Sequence, residues 1–191
     1  MYSGRELAPS SPSQGVLLFF QLQPFQLGGF QFLAAGGEGG HHPLEALGIA
    51  GIEPGVVELA LEGGDLRRQG GEALEWGDDR IALAVCADFS HASHPRQAAE
   101  AGANIYAAGV LISEGGYAPD TTLLQGYAAE HHMVVLMANH GGPTGGWTCA
   151  GRSAIWGDDG GLIAAAPGVG DTLVIARRNT AGQWHGEQLA I

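Results

Sequence analysis

Residues 80–88, with the sequence RIALAVCAD, form an apolar run that follows Arg80 and ends at Cys86 and Asp88. A short run without polar alternation is typical of a strand that is buried on both faces, as in a parallel sheet covered by helices. The residue at the end of such a strand is held rigidly at the rim where ligands usually bind. The pattern therefore predicts a strand over 80–86 and makes Cys86 a candidate nucleophile.

A thiol becomes a useful nucleophile only when it is ionised, which requires a nearby cation, a base or a helix N-terminus. The sequence predicts a helix over 95–101, which Ser93 or His94 could cap and which Gly102 ends. The alternative is that Cys86 is a small core residue, because free cysteine is among the most buried residue types. The spacing alone favours that alternative by roughly two to one.

Strands and helices alternate after the cysteine. The sequence predicts a buried strand over 104–112, a loop over 114–117, and a helix through Tyr127 and Ala128 that Asp120 or Thr121 caps. A further continuous apolar strand is predicted over 133–138. Such alternation indicates an α/β fold with helices covering a sheet.

The last third of the chain favours antiparallel strands. Predicted strands over 152–157 and 162–166 flank Asp158-Asp159-Gly160-Gly161, a turn sequence that suits positive φ and hence a hairpin. A further strand is predicted over 171–176. We expect Cys149, in a glycine-rich loop, to behave as an ordinary thiol if it is exposed.

The composition bounds the possible functions. The chain has 191 residues, a hydrophobic fraction of 45% and a formal net charge of -12. This composition favours one globular domain and disfavours binding to nucleic acid or to an anionic membrane surface. The stretch 15–27 is interrupted by three glutamines and a proline, and it is too short for a membrane span. With no recognisable secretory signal and two distant cysteines, we expect a cytoplasmic protein.

The chain divides by composition into a glycine-rich segment over 1–79 and a second region over 80–191. Within the first region, residues 1–35 favour an edge strand or a docked hydrophobic arm. Residues 36–79 carry repeated Gly-Gly pairs, which disfavour regular secondary structure. We therefore expect a long irregular segment there.

Three motifs in order resemble the nitrilase superfamily of carbon-nitrogen hydrolases. They are Cys86-x-Asp88 with Arg96 ten residues after the cysteine, the helix and strand over 127–139 that end in Asn139, and the Gly151-Arg152-Ser153 strand with its hairpin. The resemblance implies an α-β-β-α sandwich, here incomplete on the N-terminal side. It also implies hydrolysis of a small amide or nitrile through the cysteine, with no cofactor and no metal.

The resemblance further implies a Glu-Lys-Cys triad, but all eight basic residues of this chain are arginines. No position can therefore be assigned to the lysine. His91 and His94 are the nearest groups that could substitute as a base, although loop histidines are more often surface residues. For Arg152, binding of a substrate carboxylate and simple solvent exposure are equally favoured. The predicted catalytic residues are Cys86 and Glu45, and the predicted substrate-binding residues are Asp88, Tyr117, Asn139 and Arg152.

Two other classes of function remain open at this point. The same fold could serve binding or assembly without catalysis. Alternatively, Cys86, Asp88, His91 and His94 offer zinc-ligand chemistry within nine residues, at odds of about one in ten because the spacing matches no recognised zinc motif. An incomplete sheet leaves an edge or a face to cover, so we expect a homodimer or higher oligomer, which sedimentation at micromolar concentration would test.

Overall fold

The computed structural model describes residues 17–21, 32–35, 73–76, 78–142 and 146–190. The described helices are α1 (Ser93–Glu100) and α2 (Glu114–His131), and a five-residue 3₁₀ turn spans Cys86–Ser90. The strands are β1 (Leu17–Gln21), β2 (Phe32–Ala35), β3 (Leu74–Trp76), β4 (Asp79–Val85), β5 (Ile105–Val110), β6 (Val134–Asn139), β7 (Ala154–Trp156), β8 (Leu162–Ala165), β9 (Thr172–Arg178) and β10 (Trp184–Ala190).

A six-stranded sheet with the order β3-β4-β5-β6-β7-β8 forms the centre of the fold. The pairs β4–β5 and β5–β6 are parallel, whereas β3–β4, β6–β7 and β7–β8 are antiparallel. Every residue of β5 and β6 is buried, as their continuous apolar sequences predict. Because β4, β5 and β6 run the same way, their carboxyl ends meet at one edge of the sheet.

Alternate residues of the central strands enter two different cores, as the period of two in a strand requires. Tyr106, Ala108 and Val110 of β5 pack on the side of the helices, with Leu124 and Tyr127 of α2. A second core on the opposite face includes Ile105 and Ala107 together with residues of β6, β7 and β9. The sheet is therefore covered by helices on one side and by other strands on the other.

Those other strands belong to a four-stranded antiparallel sheet with the order β10-β9-β1-β2. Val174 and Ala176 of β9 face the central sheet, where they pack with Leu136 and Ile155. Two sheets thus lie face to face with helices outside one of them, which accounts for three layers of the α-β-β-α sandwich. The prediction of an incomplete α/β sandwich is confirmed.

Strand β1 corrects the expectation of an edge strand near the N-terminus. Residues 17–21 pair with β2 on one side and with β9 on the other, so β1 lies inside its sheet. Gln21 is the last residue of this strand, and Gln23 and Pro24 come after it in the sequence. A five-residue strand ends before the proline can remove a ladder hydrogen bond.

Helix α2 begins seven or eight residues earlier than predicted. Ser113 caps it by accepting a hydrogen bond at Oγ from the Gly116 N–H over 3.4 Å, and the helix continues through Pro119. The prediction of a loop over 114–117 is therefore wrong, because the cap and packing onto the sheet outweigh the poor helix propensity of the glycine pair. Helix α1 likewise begins at Ser93, and Ala92 precedes it without a side-chain cap.

An ion pair links the two sheets at the end of β4 that lies opposite Cys86. The carboxylate of Asp79 is 1% exposed and accepts hydrogen bonds from Arg178 Nη2 over 2.9 and 3.1 Å. Asn104 Nδ2 donates a further bond to the same carboxylate over 2.9 Å. A buried carboxylate is tolerated only when it is paired and hydrogen-bonded in this way.

We predict that Arg178→Met lowers the free energy of unfolding by about 3 kcal/mol, because it leaves the Asp79 carboxylate buried without a cation. The matched control is Arg177→Met, which removes the half-exposed pair with Glu187 and should cost at most about 1 kcal/mol. Urea denaturation of both variants measures the difference. Equal losses would contradict a special role for the Asp79 pair.

Candidate active site at the carboxyl edge of the parallel strands

Cys86 lies immediately after β4, at the carboxyl edge of the parallel strands. Its side chain is exposed, and its backbone has a φ of 50°. A left-handed conformation is uncommon for a residue with a Cβ, and such strained positions cluster at functional sites. The strand ends one residue earlier than predicted, so Cys86 opens the 3₁₀ turn, where its side chain is exposed. The alternative of a buried core cysteine is wrong for this residue.

The turn that carries Cys86 is fixed by its own aspartate and by the core beneath it. The Asp88 carboxylate accepts a hydrogen bond from the Val85 N–H over 2.9 Å, which closes the turn back onto the end of β4. Phe89 is buried among the helices, and its carbonyl accepts a bond from the Tyr127 hydroxyl over 3.0 Å. Asp88 therefore holds the backbone of the turn that carries Cys86.

Asn139 ends β6 and is completely buried. Its Oδ1 accepts from the Ile112 N–H over 2.7 Å, and its Nδ2 donates to the carbonyls of Ile112 and Gly151 over 3.1 and 2.7 Å. Its own N–H donates to Ser153 Oγ over 2.9 Å. The amide therefore holds together the segments that follow β5 and β6 and precede β7. Asn139 is thus a buried residue that fixes the backbone next to the candidate site.

Arg152 lies in the loop before β7, at a φ of 52°, and not on a strand as expected. Its guanidinium pairs with Glu114 and stacks over the Tyr117 ring, 4.2 Å from the ring centroid. Tyr117 in turn donates its hydroxyl to the Arg152 carbonyl over 2.7 Å. Burial raises the pKa of Tyr117 and outweighs the opposing effect of Arg152, so the hydroxyl stays a donor at neutral pH.

Sequence reasoning missed Glu114, which the structure places in the first turn of α2. Ser113 followed by an acidic residue is a helix-start signal that could have revealed it. Arg152 is paired with this carboxylate in the structure, and its role in substrate binding stays a prediction. Its charge is compensated within the protein.

The predicted site residues form two groups at this edge of the sheet. Tyr117, Asn139 and Arg152 are linked through Gly151, whereas Cys86 and Asp88 share the turn after β4. Gly151 has a φ of 59° and no room for a Cβ against Gly168, so only glycine fits there. Glu45 lies outside the residues that the structure describes.

The histidines do not form a metal site with Cys86. His91 is exposed, whereas His94 is buried, with Nδ1 2.9 Å from the hydroxyl of Tyr106. The expectation of a surface loop histidine is therefore wrong for His94, because the first turn of α1 packs it against β5. Within the described part of the chain, no three ligands of the His, Cys, Asp and Glu types come together. The structure therefore gives no support to the zinc alternative built on residues 86–94.

Cys149 is buried, so the condition for its behaving as an ordinary exposed thiol is not met. It pairs with Ser113 in an isolated bridge, so this loop is drawn against the segment that follows β5. Burial raises the pKa of the Cys149 thiol, which keeps it protonated at neutral pH. The two cysteines therefore differ in their access to solvent.

The chain is similar to a known protein family and to several solved structures. The family model described as carbon-nitrogen hydrolase matches residues 49–185. Among solved structures, the amidase from Nesterenkonia sp. AN1, with the acetamide moiety of fluoroacetamide added at its active-site cysteine, is 28% identical with a TM-score of 0.53. That match covers 58% of this chain and 41% of the amidase. No curated protein matches the chain significantly.

Two further structures of the same amidase extend the comparison. A cysteine-to-alanine variant in complex with butyramide is 28% identical, with a TM-score of 0.52, and the match covers 55% of this chain and 40% of that one. A variant showing Michael addition of acrylamide at the active-site cysteine is 25% identical, with a TM-score of 0.53 and coverages of 74% and 50%. This chain thus spans at most half the length of these neighbours. In the described residues, no helix is long and apolar enough to cross a membrane.

We predict that iodoacetamide at pH 7 modifies Cys86 and leaves Cys149 unmodified in the folded protein. Cys86 is exposed, whereas Cys149 is buried and its raised pKa keeps it in the unreactive thiol form. Peptide mapping after timed labelling measures both rates on one sample, and labelling in urea is the control for intrinsic reactivity. Modification of Cys149 at the rate of Cys86 in the native state would contradict the structure.

Proposed function

We propose, on the premise that this chain belongs to the carbon-nitrogen hydrolase family, that it hydrolyses a small amide or nitrile with Cys86 as the nucleophile. The observation that carries the proposal is the exposed thiol of Cys86. This residue adopts a left-handed backbone conformation directly after the parallel strand β4. A nucleophile presented on a sharp turn after a strand is a recurrent solution for acyl transfer. The covalent adducts of the similar amidase form at its active-site cysteine.

In the proposed reaction, the Cys86 thiol gives its proton to a base and the sulfur attacks the carbonyl carbon of the amide. The tetrahedral intermediate expels the amine, which takes up a proton, and leaves an acyl thioester on Cys86. Water then attacks the thioester, releases the carboxylic acid and restores the thiol. Backbone N–H groups that follow Cys86 in the turn are the proposed donors to the oxyanion.

The remaining predicted residues take positioning and binding roles in this proposal. Asp88 holds the nucleophile turn through the Val85 N–H, and Asn139 fixes the loops that border the site. Tyr117 and Arg152 pack together at the N-terminus of α2 and are proposed to contact the substrate. Glu45 is proposed, on the family resemblance of its sequence context alone, as the additional acidic residue of the site, and the general base is not assigned to a residue.

The proposed substrate class follows from the charge balance between Arg152 and Glu114. Arg152 is paired with Glu114, so a substrate carboxylate would have to displace an existing partner. A neutral amide meets no such penalty. We therefore propose small uncharged amides, of the kind that the similar amidase binds as butyramide, as the preferred substrates.

The absence of lysine from the sequence limits the expected rate. Loss of one oxyanion donor costs about 2.7 to 4 kcal/mol of transition-state stabilisation in other hydrolases. We therefore expect slow turnover through Cys86. This consideration also favours the second candidate, a protein of the same fold that binds small amides or assembles without hydrolysing them. A cytoplasmic location and a homo-oligomeric state complete the proposal and rest on the sequence.

We predict that the wild-type protein hydrolyses at least one of acetamide, butyramide or acrylamide, and that Cys86→Ala reduces this rate at least about 100-fold, because no other thiol is exposed in the described residues. Ammonia release measures turnover. The matched control is Cys149→Ala, which should keep most of the activity. Equal rates for the wild type and Cys86→Ala would exclude the assigned nucleophile, and amide binding without turnover would favour the binding protein.

A further inference from the structure

Tyr127 connects helix α2 to the turn that carries Cys86. The residue is buried in the helix-side core, and its hydroxyl donates a hydrogen bond to the Phe89 carbonyl over 3.0 Å. Phe89 belongs to the same five-residue turn as Cys86 and is itself 4% exposed. The bond is buried and joins two segments that are 38 residues apart in sequence.

The nucleophile turn needs an external partner at this point. A 3₁₀ turn has poorer hydrogen-bond geometry than an α-helix, and the last carbonyls of any helical segment lack partners within it. Asp88 fixes the start of the turn through the Val85 N–H. Tyr127 satisfies the carbonyl at the other end, where a lost partner would leave a buried polar group. The turn is thereby held at both ends.

The two parts of Tyr127 contribute separately. Its ring packs in the core near Leu124 and Ala128 and stacks on His131, with ring centroids 6.2 Å apart. Burial, with a smaller contribution from Glu130, raises the pKa of its hydroxyl, which therefore remains a protonated donor at every pH where a cysteine hydrolase would work. Removing only the hydroxyl leaves the core packing in place and tests the bond alone.

We infer that Tyr127 is a positioning residue for the Cys86 nucleophile: its hydroxyl fixes the turn over 86–90 against α2 and so holds the thiol in its reactive orientation. The inference rests on the proposed function. Small displacements of a nucleophile lower the rate of attack far more than they lower stability. The bond therefore affects the rate of bond formation at Cys86 beyond any effect on folding.

The test compares Tyr127→Phe with Gln125→Met. Gln125 also lies on α2 and also donates to a backbone carbonyl, that of Gly160 over 2.8 Å, but this carbonyl belongs to the β7–β8 hairpin. Each variant thus loses one hydrogen bond between a side chain of α2 and a backbone carbonyl outside the helix. Addition of acrylamide to Cys86 is followed by mass spectrometry from pH 6 to 9, and the urea midpoint is measured on the same samples.

We predict that Tyr127→Phe lowers the rate of acrylamide addition to Cys86 about threefold or more and alters its pH profile, whereas Gln125→Met follows the wild type even if its urea midpoint falls as far. An unchanged or increased rate in Tyr127→Phe, or an equal loss in Gln125→Met, would overturn the inference. Acrylamide addition requires no turnover. The result therefore stays informative even if Cys86→Ala shows that the proposed hydrolysis is wrong.

If Tyr127→Phe does not fold, hydrogen exchange of the wild-type protein in increasing urea decides the question. The inference predicts that the amides of His91 and His94, whose bonds continue the turn, open together with those of α2. Opening of the turn at a lower urea concentration than α2 would overturn the inference.

Discussion

The central constraint on this protein is the left-handed conformation of Cys86 at the end of β4, a strand that is paired on both sides. β4 pairs with β3 on one side and with β5 on the other, and the Asp79–Arg178 pair anchors its opposite end to the second sheet. A rigid strand fixes where the turn begins, and the Asp88 and Phe89 contacts fix where the turn leads. A positive φ at a residue with a Cβ persists only under such restraint.

The same edge of the sheet depends on a set of buried polar groups. Asn139 satisfies backbone groups of Ile112 and Gly151, and Ser153 satisfies the N–H of Asn139. Each of these groups would cost free energy if it were buried without a partner. Their pairing fixes the segments beside Tyr117, in the first turn of α2, and Arg152, in the loop before β7. The apolar strands therefore decide the architecture, whereas the amide and hydroxyl groups decide the form of the site.

The sequence predicted the features that follow from continuous apolar runs. β4, β5 and β6 lie within one or two residues of their predicted bounds, and the hairpin over 157–161 forms with Gly160 at a φ of 80°. It did not predict the start of α2, because two glycines and a proline are poor helix formers and outweighed the helix-start signal of Ser113 and Glu114. It placed Glu114 in a loop and left the burial of Cys149 open, because the environments of both residues depend on contacts between segments far apart in sequence. The role of Glu45 stays a prediction.

The most direct test of the central claim is to trap the acyl group that Cys86 should carry. The protein is mixed with a chromogenic anilide of butyric acid, quenched in acid within the turnover time and digested for mass spectrometry. The account predicts a butyryl thioester on the peptide that contains Cys86 and none on the peptide that contains Cys149. Release of the aniline with an unmodified Cys86 peptide at every quench time, or with the acyl group on another residue, would contradict the account.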